Sequence, residues 1–296
     1  MTHFIRKPVA SLKRLNEFCF WSAEIWHWAV LVLRQNCQWI VMKENIYLRK
    51  IRKRERDWDT NVYPFSIPVI RDFTEFRFEK SVTYIVGGNG SGKSTLLEAI
   101  AVLLRINPEG GSRHFNFHTE ETHSSLHEAL IASQASLSYD DTYFFRAKSY
   151  YNVITEINRR GLNMYYDYLN FHEFSHGEGF MALLEHRLTG KGIYIFDEPE
   201  AALSFQNQLA FLLWIKDVVS KGAQIIIATH SPVILSYPGA SIHEIKDGQL
   251  VPTPYHDCSA YRDLYAFLLN REGCLQTLGL LPNNQPRLHC FLEMEK

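Results

Sequence analysis

An α/β architecture with a largely parallel central sheet is expected from three short apolar runs that each end on polar residues. Ser81–Val86 leads into a glycine-rich loop. Ile193–Phe196 delivers Asp197 and Glu198. Ala223–His230 runs AQIIIATH and ends on His230. Strands buried on both faces read as near-continuous apolar runs. Ligands of open α/β sheets bind at the carboxyl ends of such strands.

The first run, SVTYIVGGNGSGKSTLL, reads strand, loop, helix. Val82, Tyr84 and Val86 are β-formers. The loop is Gly87-Gly88-Asn89-Gly90-Ser91-Gly92, followed by Lys93, Ser94 and Thr95. A polyphosphate needs many N–H donors at short range, so side chains must be absent and positive φ allowed; the glycines meet that need. Lys93 brings a point charge to the β- and γ-phosphates, and Ser94 offers a hydroxyl to Mg²⁺. The helix beginning there turns its positive end toward the anion. Leu96, Leu97, Ile100, Leu103 and Leu104 give that helix an apolar face. A chance glycine-rich turn would have neither the strand before it nor the helix after it.

The second run, GIYIFDEPEAAL, places Asp197 and Glu198 at a strand end. Asp197 suits holding Mg²⁺ through water. Glu198, one residue on, points elsewhere and can polarise the attacking water. Leu209, Leu212, Leu213, Lys216 and Val219 lie on the helix that follows, ended by Gly222. The third run places His230 beside the same site, where a histidine reads as a γ-phosphate sensor. Asp247-Gly248 then marks a hairpin within Ile242–Val251, and Ser259–Leu281 reads as helical.

The 296 residues are 46% hydrophobic with a formal net charge of −1. That suffices for one large domain or two small ones, and the balance gives no argument for an acidic or nucleic-acid partner. The five cysteines (Cys19, Cys37, Cys258, Cys274, Cys290) form no CxxC pair, which fits reduced thiols and a cytoplasmic setting. Phe18–Leu33 is too short for a span and carries Glu24 and His27; its alternative is an amphipathic interfacial helix. No integral membrane segment is expected.

In chain order, 1–41 reads as an extension outside the domain, with a docking helix as the alternative; Met42 offers a second start. The domain is expected over 42–281, with a helical lobe about 112–190 and a tail at 282–296. Glu44–Asp57 begins as a strand and ends in a basic run, Lys50, Arg52, Lys53, Arg54 and Arg56. Phosphates of DNA or RNA would suit it, and so would a solvated strand edge. Val69–Glu79 reads as another strand. His114, His118, His123 and His127 match no zinc spacing. Leu126–Ile131 looks helical and Thr142–Phe145 looks like a strand. Ser175-His176-Gly177-Glu178 opens a helix whose apolar face is Phe180, Leu183, Leu184 and Leu188. It is either a second anion-binding helix end or an ordinary serine cap.

Loop, Ser-x-Gly-Glu helix start, Asp-Glu strand end and His230, in this order, resemble an ABC-type ATPase. DEPEAALS (Asp197–Ser204) and ATHSP (Ala228–Pro232) are particularly close. The chain is similar to the small stand-alone bacterial predicted ATPases of the ABC/AAA type, relatives of chromosome-maintenance and double-strand-break-repair ATPases. The likeness covers roughly 46–281. It implies a P-loop NTPase fold: an ABC-ATPase-like core sheet, an antiparallel N-terminal part at its edge, and a helical signature lobe.

The resemblance further implies ATP and Mg²⁺ as cofactors. Lys93, Ser94 and Thr95 match the Walker A residues, Asp197 the Walker B metal residue, and Glu198 the catalytic base. Ser175, Gly177 and Glu178 match the signature motif, Ala201–Ser204 the D-loop, and His230 the switch histidine. Two copies would then sandwich two ATPs head to tail. His176 departs from the family's first signature glycine, and Gly88 stands where relatives often carry an acid or proline. Gln134 is the candidate for the Q-loop glutamine. Hydrolysis at a composite dimer site is the leading expectation. The alternatives are a slow nucleotide-dependent switch acting on DNA or a protein, and the ATP subunit of a transporter.

Overall fold

A computed structural model describes residues 44–112, 124–136, 138–147, 155, 159, 176–188 and 190–282. Expectations for 1–41, for His114, His118 and His123, and for Ser175 fall outside them.

In chain order the elements are β1 (Leu48–Lys53), α1 (Pro68–Arg71), β2 (Glu75–Arg77), β3 (Val82–Val86), α2 (Lys93–Leu103) and β4 (Gly111–Ser112). Then come α3 (Leu126–Ala129), β5 (Leu130–Gln134), β6 (Asp141–Arg146), α4 (His176–Arg187), β7 (Gly192–Asp197) and a 3-10 turn at Pro199–Ala202. The chain continues with α5 (Phe205–Ser220), β8 (Gln224–Ala228), α6 (Pro232–Leu235), β9 (Ser241–Lys246) and β10 (Gln249–Pro252). Last are a 3-10 turn at Tyr255–Asp257, α7 (Ser259–Leu269) and α8 (Arg271–Thr277).

A seven-stranded sheet runs β10-β9-β3-β8-β7-β6-β4. Its five inner strands are mutually parallel, and β10 and β4 add antiparallel edges. Every residue of β3, β7 and β8 is buried, as their apolar runs require. On one face α4 presents Phe180, Leu183, Leu184 and Leu188, all fully buried. Phe180 packs against Phe145, Phe196 and Phe211, with ring centroids 4.2, 6.2 and 5.8 Å away. The Trp214 indole N–H on α5 donates to the carbonyls of Leu184 and Leu188 at 3.2 and 3.1 Å, closing the end of α4. α5 is capped by Ser204 and ends before Gly222, whose φ of 100° suits glycine.

The N-terminal strands do not edge this sheet. β1 and β2 join β5 in a separate antiparallel sheet, β2-β1-β5. Buried Gln224 joins the two: its side chain accepts from Tyr47 N and Leu48 N at 2.9 and 2.8 Å and donates to Leu48 O at 2.9 Å. A side-chain amide thus pairs with β1 as a neighbouring strand would.

Two further expectations are corrected. Val69–Glu79 is a helical turn then a three-residue strand, because Pro68 sits at the first helical position and leaves Val69 and Ile70 buried together. Leu126–Ile131 stays helical only to Ala129, because Leu130 onward pairs with β1. The described part of 112–190 is therefore strand as well as helix. As expected, Leu209, Leu212, Leu213, Lys216 and Val219 lie on α5; Leu209 and Leu213 are exposed, while Phe211, Trp214, Ile215 and Val218 fill the core. The expected hairpin turn is present: Asp247 and Gly248 both have positive φ, at 49° and 76°.

Candidate active site

The parallel register brings the candidate residues to one end of the sheet. Asp197 on β7 lies opposite Ala228 on β8, and Ala228 lies opposite Ile85 on β3. The residues just beyond these positions are Glu198, Thr229-His230 and the loop Gly87–Gly92.

The loop geometry explains its glycines. Gly90 and Gly92 have φ of 75° and 100°, which β-carbon-bearing residues avoid. A Cβ at Gly92 would also stand 2.9 Å from Val69 and 3.0 Å from Ile67, so α1 packs directly beneath the loop. Gly88 and Asn89 are exposed. The Lys93 ammonium donates to the carbonyls of Gly87 and Gly88 at 2.6 and 3.0 Å, which holds it buried under the loop. Ser91 Oγ is buried without a hydrogen-bond partner among the described residues. The first turn of α2 leaves its N–H groups pointing into the loop, the arrangement that binds anions.

Ser94 Oγ donates to Asp197 Oδ1 at 3.0 Å, joining residues 103 apart in sequence. Asp197 is 3% exposed. Burial pushes its carboxyl up to about 6, against smaller lowering effects from Ser94 and Arg146. Hydroxyl and carboxylate oxygens are the donors that Mg²⁺ takes beside nucleotide phosphates, so the pair fits the metal.

Glu198 has φ 52° and ψ 53°, a left-handed conformation in a non-glycine residue. Pro199 disfavours the right-handed helical region at Glu198, and a left-handed non-glycine residue costs on the order of 1–3 kcal/mol. His230 Nε2 lies 3.9 Å from Glu198 Oε1, too far for a hydrogen bond, and is buried without a partner among the described residues. Burial first, and Lys93 second, depress the His230 imidazole below its ordinary value.

Three residues join the site that the sequence did not single out. Glu200 accepts from Thr229 Oγ1 at 2.8 Å and from the His230 N–H at 2.6 Å, so the turn after β7 holds the histidine loop. Its signal was the fourth acid-rich position of DEPE. Arg146, the last residue of β6, lies opposite Asp197 and pairs with Glu98 on α2. Tyr63, 58% exposed, brings its hydroxyl 3.4 Å from Thr95 Oγ1, leaving an uncovered ring beside the loop helix.

Two candidates sit apart. Gln134 ends β5 in the other sheet, paired with Leu48. Gly177 and Glu178 open α4. A Cβ at Gly177 would meet Asn207 at 2.8 Å and the Ala202 carbonyl at 3.1 Å, and Glu178 is exposed. This helix start therefore rests on the turn after Glu198 and faces outward. Among the described residues no cluster of histidine, cysteine and acid forms another metal site, and no helix is long and apolar enough to cross a membrane.

Two family models match parts of this chain. The family model described as AAA domain matches residues 61–170. A second AAA-domain model, whose description adds a candidate AbiEii toxin of a type IV TA system, matches 165–236. An uncharacterised ABC transporter ATP-binding protein of Haemophilus influenzae is 25% identical over 55% of this chain and 69% of its own length. A candidate ABC transporter ATP-binding protein of Sulfurisphaera tokodaii is 23% identical over 62% of this chain, which spans 41% of that relative. The SMC head domain of Thermotoga maritima is 17% identical, with a TM-score of 0.37 over 71% of this chain and 99% of that one.

Proposed function

Starting from a chain that is a P-loop ATPase of the ABC/AAA type, we propose that it hydrolyses ATP with Mg²⁺ at composite sites of a head-to-tail dimer. The observation that carries this is the convergence of Lys93, the Ser94–Asp197 pair, Glu198 and His230 at one sheet end, with Ser91 Oγ and His230 Nε2 left unpartnered there. A bound nucleotide would give those polar atoms their partners.

The roles follow from position. The loop N–H groups and Lys93 hold the phosphates, with Lys93 exchanging its loop carbonyls for phosphate oxygens. The exposed Tyr63 ring offers a face to the base. Ser94 and Asp197 hold Mg²⁺, which when bound neutralises charge on the phosphates. Glu198 orients and deprotonates the attacking water. Its carboxylate lies 3.9 Å from His230 Nε2 while Asp197 accepts from Ser94, so the two acids serve different tasks. His230, kept neutral by burial, donates one ring N–H toward the γ-phosphate, and Glu200 fixes its backbone. The outward-facing start of α4, Gly177-Glu178, supplies the partner's second anion contact.

Glu198→Gln tests the dimer. It should bind ATP without cleaving it and accumulate as a dimer by light scattering in ATP, reverting to monomer in ADP. A variant that binds ATP and stays monomeric would leave a single-chain ATPase.

A second reading is favoured by one feature. An open cavity of about 560 Å³ is lined by four cations (Arg52, Lys53, Arg54, Arg56) interspersed with three acids (Glu55, Asp57, Glu75), beside Trp58 and Phe73. It suits an anionic partner such as DNA, gripped when ATP closes the dimer. DNA affinity that is absent at low ionic strength with ATP loaded would remove it. The relatives' names favour instead a transporter partner, which would bring its own membrane segment; either role has the protein drawing on cytoplasmic ATP.

A further inference from the structure

Ser94 and Glu98 lie four residues apart on α2 and share the face turned to β7. Both are set against Asp197, and both carboxylates are buried, Glu98 at 6% and Asp197 at 3% exposure. One hydroxyl and two carboxylates are donors enough to hold a divalent cation without any nucleotide. Arg146 stands among them. The parallel register of β6 with β7 places it directly beside Asp197. Its Nη1 lies 2.5 Å from Glu98 Oε1, and its Nε lies 3.5 Å from Asp197 Oδ2. That Nε is buried and makes no hydrogen bond among the described residues. The guanidinium is thus engaged most closely with Glu98, and it touches Asp197 only at longer range while Ser94 donates to that carboxylate.

We propose that Arg146 holds Glu98 off the metal position and so makes metal binding depend on nucleotide. The inference rests on the reading of Ser94 and Asp197 as the metal-holding pair. With Glu98 neutralised, the protein contributes one carboxylate and one hydroxyl, and the remaining oxygens must come from phosphates. Arg146 is a positioning residue in this account, acting through Glu98. Without it, the two buried carboxylates lose the cation that stands between them, and the site captures a divalent ion by itself.

Mn²⁺ binding to the nucleotide-free protein, read by loss of the free-ion EPR signal, tests this. Arg146→Met should bind Mn²⁺ at least about tenfold more tightly than wild type, the scale on which groups around a metal site act. Arg146→Lys keeps the charge and should stay near wild type. The pair Arg146→Met with Glu98→Gln should return to wild-type affinity. An unchanged Mn²⁺ affinity in Arg146→Met, or a gain that survives the second substitution, overturns the proposal. Should Arg146→Met not fold, Glu98→Gln decides: its Mn·ATP affinity should stay within about threefold of wild type, and a loss of about tenfold or more makes Glu98 a ligand and overturns the proposal. A wild type that binds no Mn·ATP fails differently, because it overturns the nucleotide-site reading itself.

Discussion

The strand ends of the seven-stranded sheet and the basic strand β1 look alike in sequence, since both crowd charges after apolar residues. In the structure they behave in opposite ways. On β1, Lys50 pairs with Glu75 at 2.8 Å, and Lys53 donates to the carbonyls of Ile70 and Arg71 at 3.0 and 2.9 Å. These cations serve neighbours of their own sheet and the end of α1. At the strand ends, Lys93, the adjacent pair Asp197–Glu198, and His230 come from three separate segments and meet at one end of the sheet. There Asp197 is buried and shifted, Glu198 is strained, and His230 keeps an unpartnered nitrogen. Charge that converges from separate segments around a buried, unpartnered nitrogen marks chemistry; charge that is locally spent marks structure.

The largest expected break in that contrast is Lys93→Ala. It should reduce Mg·ATP affinity by about a hundredfold or more in an equilibrium titration, since charge-assisted phosphate contacts are lost. Lys50→Ala should leave the same titration unchanged. Next is Asp197→Asn in the nucleotide-free protein. The folded carboxyl titrates at about 6 against an ordinary 3.8, so folding favours the protonated form. Stability from this group is full below the unfolded value and is lost as pH rises through about 6. The neutral amide escapes that loss. Asp197→Asn should therefore be more stable than wild type by about 2 kcal/mol near pH 8, with the gap closing toward about pH 4 in urea unfolding.

Glu200→Ala sharpens the contrast, because Glu200 has partners yet belongs to the site. Turnover should fall about tenfold, with about 1–2 kcal/mol of stability lost as Thr229 Oγ1 and the His230 N–H lose their acceptor. The smallest effect is Lys50→Ala on stability. Its pair with Glu75 is roughly a third exposed, so less than about 1 kcal/mol should be lost. A loss of several kcal/mol would show that β1's charges are not merely local.

What the sequence made legible follows the same division. The strand, loop and helix around Lys93 were readable because glycine demand, apolar run and helical period coincide within seventeen residues. Asp197 and His230 were readable because each follows an uninterrupted apolar strand. The short helix α1 was not, since Val69–Glu79 read as one strand through a segment that Pro68 starts as a helical turn. β5 was not, since its strand character comes from pairing with β1 some eighty residues earlier. Arg146 and Glu98 acquire meaning only when β6 aligns with β7, and Glu200 only when β7 aligns with β8. Glu198 drew notice as an acid, but its left-handed backbone has no signature beyond the following proline. Ser175, expected to cap α4, lies outside the described residues.

Steady-state ATP turnover in saturating Mg²⁺, for wild type and Glu198→Gln with ATP affinity measured in parallel, tests the central claim most directly. The account predicts equal affinity and a fall in turnover of about a hundredfold to ten-thousandfold, the worth of a positioned general base. Wild-type turnover in Glu198→Gln would contradict it and move the catalytic base away from this strand end.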